Sequence, residues 1–128
     1  MTIADGRIDD FVAGDDLEIE RSISSIPEGI SIDTAWFMVK RKFTDSDAAA
    51  IISKTITPSN TINVGWIEDI GTDGDGLLRF YLTQADTAIL TPFSEYQYSI
   101  KLKLDNGKVN TPERGVMVAE PAVKKGNT

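Results

Sequence analysis

The stretch "YQYSIKLKLDNGKV", residues 96–109, constrains the fold more than any other part of the chain. Apolar and polar residues alternate strictly from Tyr96 to Leu104, the period of a strand half-buried on one face. Tyr96, Tyr98, Ile100, Leu102 and Leu104 fall on the core side, and Gln97, Ser99, Lys101 and Lys103 on the solvent side. Asn106-Gly107 supplies the two positive-φ residues of a type I′ hairpin turn. Pairing across that turn sets Leu104 opposite Val109 and Leu102 opposite Thr111. Carried further, it would put Glu113 opposite Ile100 on the core face. One extra residue within Pro112–Gly115 repairs this, so a bulge is predicted there. Val116 then faces Tyr98, and Val118 faces Tyr96.

Other segments repeat the theme. "LEIERSISSI" alternates with Leu17, Ile19, Arg21 and Ile23 on one side. "ISIDTAWFMVKRKF" carries apolar residues on both sides, as a central strand does. Its Trp36 reads as a core anchor. "IISKTIT", "TINVGWI" and "LLRFYL" add strands, and Gly65 marks a bulge or an edge. Thr83 with Asp86 three residues on resembles a capping box, so a short helical turn is predicted near 83–90, ended by Pro92. Turn signals recur about every ten residues. The pattern predicts a single all-β domain, an antiparallel β-sandwich of seven or eight strands spanning 14–121. A small barrel is the alternative. Residues 122–128 read as a solvated tail.

Residues 1–13 show no clean period. They read as an N-terminal arm or a short edge strand. The arm is either a frayed terminus or a docking element, because Ile8, Phe11 and Val12 are apolar among acids such as Asp9 and Asp10. A docking arm predicts that deleting 1–13 leaves the melt unchanged.

Composition removes most chemistry. The 128 residues contain no Cys and no His. Disulfides, thiolate nucleophiles, Cys-based metal sites and His-based acid–base pairs are therefore excluded. The net charge is −7, and residues 1–35 hold nine acids against two bases. No basic face for nucleic acid stands out, no apolar run is long enough to span a membrane, and no signal-peptide pattern precedes the domain. The loop "EDIGTDGDG" (68–76) is the nearest thing to a calcium site. It lacks the third ligand and distal Glu of an EF-hand, so a plain hairpin loop is the expected reading. Neither catalytic residues nor cofactors are expected. Met1 and the short polar tail are what a whole protein would show.

The order "GDDLEIERSISSIPEGISIDTAWFMVK", then "AAAIISKTIT", then "LLRFYLTQADTAILTPFSEYQYSIKLKLDNGKVNTPERGVMVAEPAV" resembles small tailed-bacteriophage virion domains with an immunoglobulin-like sandwich. The likeness lies in the layout and covers roughly residues 14 to 121. It implies an immunoglobulin-like fold and a structural subunit assembled in the host cytoplasm, as a head decoration, fibre, tail or baseplate module. Its partners would be other virion proteins, including copies of itself. The expected contact residues are Lys101 and Lys103 on the hairpin, or Ile8, Asp9, Asp10, Phe11 and Val12 in the arm. The rival reading is a module for host-surface carbohydrate, using exposed aromatics such as Trp66, Tyr81 or Phe93.

Overall fold

The computed structural model describes residues 4–121. Eight strands form two sheets. They are β1 (Ala4–Ile8), β2 (Leu17–Ile23), β3 (Ile32–Lys40), β4 (Ile52–Ile56), β5 (Gly65–Ile70), β6 (Gly76–Leu82), β7 (Tyr96–Leu104) and β8 (Val109–Met117). The five-stranded sheet runs β1-β8-β7-β3-β4 and the three-stranded sheet β2-β6-β5. Reading β2 to β8 as strands B, C, C′, D, E, F and G gives the immunoglobulin arrangement, with B, E and D facing C′, C, F and G. Tyr96 reinforces the likeness: at the start of β7 its hydroxyl accepts a hydrogen bond from the Thr91 N–H at 2.9 Å, the tyrosine corner of such domains.

Alternation puts Ala35, Phe37 and Val39 of β3, Leu78, Phe80 and Leu82 of β6, and Tyr98, Ile100 and Leu102 of β7 in the core. The centre is aromatic. The Phe37 ring lies 5.5 Å from Phe80 and 5.8 Å from Tyr98, filling the inter-sheet space that a disulfide occupies in antibody domains. Trp36 is not the expected core anchor. The core side of β3 belongs to its odd-numbered neighbours, so Trp36 stands half-buried on the outer face, beside Lys101 and Thr55.

The hairpin departs from the expected register. Gly107 alone of the pair Asn106-Gly107 has positive φ, at 88°, and Leu104 pairs with Lys108 through its N–H. This is a three-residue loop with Gly in the left-handed position. Lys103 therefore faces Val109 and Leu102 faces Asn110, and the register shifts between Ile100 and Leu102. On β8 the extra residue lies between Asn110 and Glu113, so the bulge forms at Thr111–Pro112, at the turn-side end of the expected Pro112–Gly115 span. Beyond it Glu113 does face Ile100, Gly115 faces Tyr98 and Met117 faces Tyr96.

The N-terminal segment is an edge strand, not an arm. β1 pairs in parallel with β8, Gly6 beside Gly115, and the ladder continues to a bridge between Val12 and Glu120. All other strand pairs described are antiparallel. Gly115 is required here, since a Cβ on it would lie 1.9 Å from the Gly6 carbonyl oxygen.

"TINVGWI" is a strand only from Gly65. Asn63 takes φ of 63° and Gly65 of 124°, which turns the chain and leaves Ile62 84% exposed. The helical turn α1 (Gln84–Ala88) forms as expected. The Thr83 hydroxyl accepts from the Asp86 N–H while the Asp86 carboxylate accepts from the Thr83 N–H. Thr83→Ala is expected to lower stability by about 1 kcal/mol in a urea melt. Burial works against the Asp86 charge, but hydrogen bonds from Lys54 and Thr83 outweigh it and hold the carboxyl below its ordinary value of 3.8. Its contribution is full above that value and is lost as pH falls through the lowered one. Asp86→Asn should flatten that part of the acid limb.

Candidate functional site

Polar groups at the two open sides of the sandwich are used for closure. On one side Arg21 of β2 donates its Nε–H to Glu113 Oε1 of β8 at 2.9 Å, and the Tyr98 hydroxyl donates to Glu113 Oε2. Gly6 leaves room for this cluster, because a Cβ there would lie 2.0 Å from the Tyr98 hydroxyl oxygen. On the other side Lys54 of β4 reaches Asp86 at 2.7 Å and the Asn63 carbonyl at 3.0 Å. Each lysine or carboxylate is committed to a partner in the opposite layer. These are cross-sheet clasps.

The exposed aromatic rings and charge clusters lie on the two outer faces. The outer face of the five-stranded sheet presents Trp36, Met38 and Lys40 from β3, Lys101 and Lys103 from β7, and Arg114 from β8. Phe43, 51% exposed, lies in the loop after β3 under the Arg114 guanidinium, 5.7 Å from ring centroid to Cζ. Met38, Phe43, Lys40, Lys101 and Arg114 line a depression of about 210 Å³. Asp47 accepts from Lys40 at 2.7 Å and lies 3.9 Å from Lys101. The Lys40 hydrogen bond, helped by the Lys101 charge, holds the Asp47 carboxyl below its ordinary value. At the end of the same face, Arg7, Asp9, Asp10, Val118 and Glu120 surround Phe93 around a second concavity of about 450 Å³.

The outer face of the three-stranded sheet is acidic. Arg79 of β6 is encircled by Glu18, Glu20 and Glu68. Trp66 and Tyr81 stand half-buried on either side of it. Tyr81 also lines a groove of about 610 Å³ with Asp16, Glu18, Asn60, Ile62 and Asn63.

The expected contact residues divide accordingly. Lys101 and Lys103 do lie on one outer face. Ile8 and Phe11 cannot serve as contact residues, being 9% and 7% exposed and part of the core. Their side chains turn inward because β1 and the following turn complete the five-stranded sheet. Val12 is half-buried, and Asp9 and Asp10 are exposed. The geometry therefore brings Asp9 and Asp10 beside Phe93, not into an arm. Phe43 and Arg114 were not singled out by the sequence, since both lie where the alternation is broken.

The loop 68–76 is a hairpin connection. Gly71 and Gly74 take φ of 85° and 100°, and Asp69 Oδ1 accepts from the Gly71 N–H at 2.9 Å. Among the described residues no three acidic side chains converge as a metal site, and no helix is long and apolar enough to cross a membrane. No protein-family model matches the chain, and no curated protein matches it.

Proposed function

We propose that this chain is a non-enzymatic assembly subunit of a tailed-bacteriophage particle, docking on other virion proteins as a head decoration or a tail or baseplate component. The observation that carries the reading is the outer face of the five-stranded sheet. It exposes Phe43 and Phe93 among segregated charges, and exposed aromatics framed by charge suit protein recognition. The layout resemblance of residues 14–121 supplies the virion context, with assembly in the host cytoplasm. The polar clusters inside the sandwich are satisfied ion pairs, which favours a scaffold over a catalyst.

The test is a density gradient of the source lysate, probed for this chain. Cosedimentation with intact particles through a salt wash is expected, and Lys101→Glu with Lys103→Glu should release the protein while its melt is preserved. A chain that stays in the soluble fraction overturns the reading. The 610 Å³ groove beside Tyr81 favours a second reading, carbohydrate binding, since an aromatic edge with Asn60 and Asn63 can stack on and hydrogen-bond a sugar. A host polysaccharide that quenches Trp66 fluorescence, with loss of the effect in Tyr81→Ala, would bring that reading forward.

A further inference from the structure

We infer that the chain forms a closed two-fold dimer through the outer face of its five-stranded sheet, the Phe93 end of each copy seated on the Phe43–Arg114 depression of the other. The inference rests on the assembly reading and names a partner for that surface, a second copy.

Phe93 is the first observation. It is 75% exposed and its backbone takes φ of 67°, a region unfavourable for a bulky side chain. The loop is nonetheless held firmly. The Phe93 N–H donates to the Ala119 carbonyl at 2.9 Å, the Ser94 N–H to the Thr91 carbonyl at 3.2 Å, and the Thr91 N–H to the Tyr96 hydroxyl. A strained, rigidly presented and unburied aromatic ring is a feature that function explains and folding does not.

The second observation is a receptor of matching size. The depression floored by Met38 and Phe43 measures about 210 Å³, while a cavity of about 150 Å³ already admits a benzene ring. The third is charge. Asp9, Asp10, Glu95 and Glu120 are the exposed acids near Phe93, with Arg7 paired to Asp9. Lys40, Lys101 and Arg114 rim the depression, with Asp47 partly neutralising the two lysines. Opposite signs at the two ends are complementary only when one copy is turned against the other.

Both ends lie on one side of the molecule. Arg7 and Asp9 alternate with buried Ile8, and Val118 and Glu120 with buried Met117 and Ala119. They therefore point outward, as do Arg114, Ser99 and Lys101. A two-fold axis lying in the plane of that face, perpendicular to the line joining the ends, sets the two faces against each other, exchanges the ends and makes the same contact twice, which closes the assembly at two copies.

Sedimentation equilibrium of the full chain at low salt tests this. A monomer–dimer equilibrium is expected below about 0.5 mM, weakening as salt rises. Phe93→Asn removes the ring and relieves the backbone, since Asn tolerates positive φ. It should hold or raise the melt while weakening the dimer about tenfold or more. Lys101→Glu and Asp10→Lys should each weaken it about tenfold, and the two combined in one chain should restore it to within about threefold. A wild type still monomeric at about 0.5 mM, a Phe93→Asn variant that dimerises normally, or open-ended larger species would each overturn the inference. A monomer that nevertheless sediments with particles refutes the dimer and leaves the docking reading standing. A dimer with these sensitivities in a chain never found on particles does the reverse.

Discussion

Removal of residues 1–13 is expected to lower the melting midpoint by about 10–20 °C, the shift that a loss of about 3–5 kcal/mol produces in a domain of this size. Ile8 and Phe11 are buried in the core, and burying such a side chain contributes about 1.5–3 kcal/mol each. The β1–β8 ladder goes with them, and so do the bonds from the Val118 N–H to the Ile8 carbonyl, from the Glu120 N–H to the Phe11 carbonyl and from the Ala13 N–H to the Glu120 carbonyl. The entropy regained by the freed end offsets part of this loss. The truncated protein also exposes the bare edge of β8, a template for further strand pairing, so aggregation on heating is expected as well. Two point variants separate the causes. Phe11→Ala keeps the strand and should cost about 3 kcal/mol. Gly115→Ala keeps every core side chain but drives a methyl into the Gly6 backbone, so β1 must detach and most of the truncation loss should reappear. A truncated chain that melts like the full one would make residues 1–13 a free arm.

That result bears on what the sequence could reveal. The alternation of β7 and the capping box of Thr83 are local patterns, and both were legible. The fate of residues 1–13 was not, because parallel pairing with β8 joins segments a hundred residues apart and leaves no period in either. Gly6 and Gly115 are its only trace, and glycines in strands carry many meanings. The hairpin shows a different limit. A carboxylate opposite Ile100 is unfavourable in a core, so alternation predicts a bulge that turns Glu113 outward. The protein instead keeps Glu113 inward and satisfies it with Arg21 and Tyr98. Alternation cannot distinguish a polar residue facing water from one facing a partner across the sandwich. Trp36 was misplaced for a related reason: β3 is apolar on both faces, so period two did not say which face was inner. The exposed sites suffered most. Phe43 and Phe93 owe their exposed placement to loop geometry, a cation beneath which one ring packs and a positive φ that displays the other.

Glu113→Ala is expected to cost about 2–4 kcal/mol, well above an exposed ion pair. The carboxylate is 16% exposed and the Arg21 side chain 31%. Truncation therefore strands a half-buried guanidinium and a buried phenol together, short of the penalty for full burial. Tyr98→Phe should cost less, about 1–2 kcal/mol, because Glu113 keeps Arg21. Made together, the two changes should cost about 1 kcal/mol less than their sum, since the second removes a group the first has already orphaned. An additive pair would mean that the hydroxyl and the carboxylate do not interact. The alkaline limb gives an independent reading of the same cluster. Burial raises the Tyr98 phenol above its ordinary value of 10.0, and the hydrogen bond and charge of Glu113 raise it further, against the opposing pull of Arg21. The folded state thus holds this proton more tightly than the unfolded chain does. Its contribution is full below pH 10.0 and is lost as pH rises toward the folded value. Tyr98→Phe should remove that part of the alkaline fall, leaving only what the other tyrosines and the lysines cause. If the variant and the wild type lose stability in parallel above pH 10.0, the phenol is not held by Glu113, and the closure of this side of the sandwich rests on Arg21 alone.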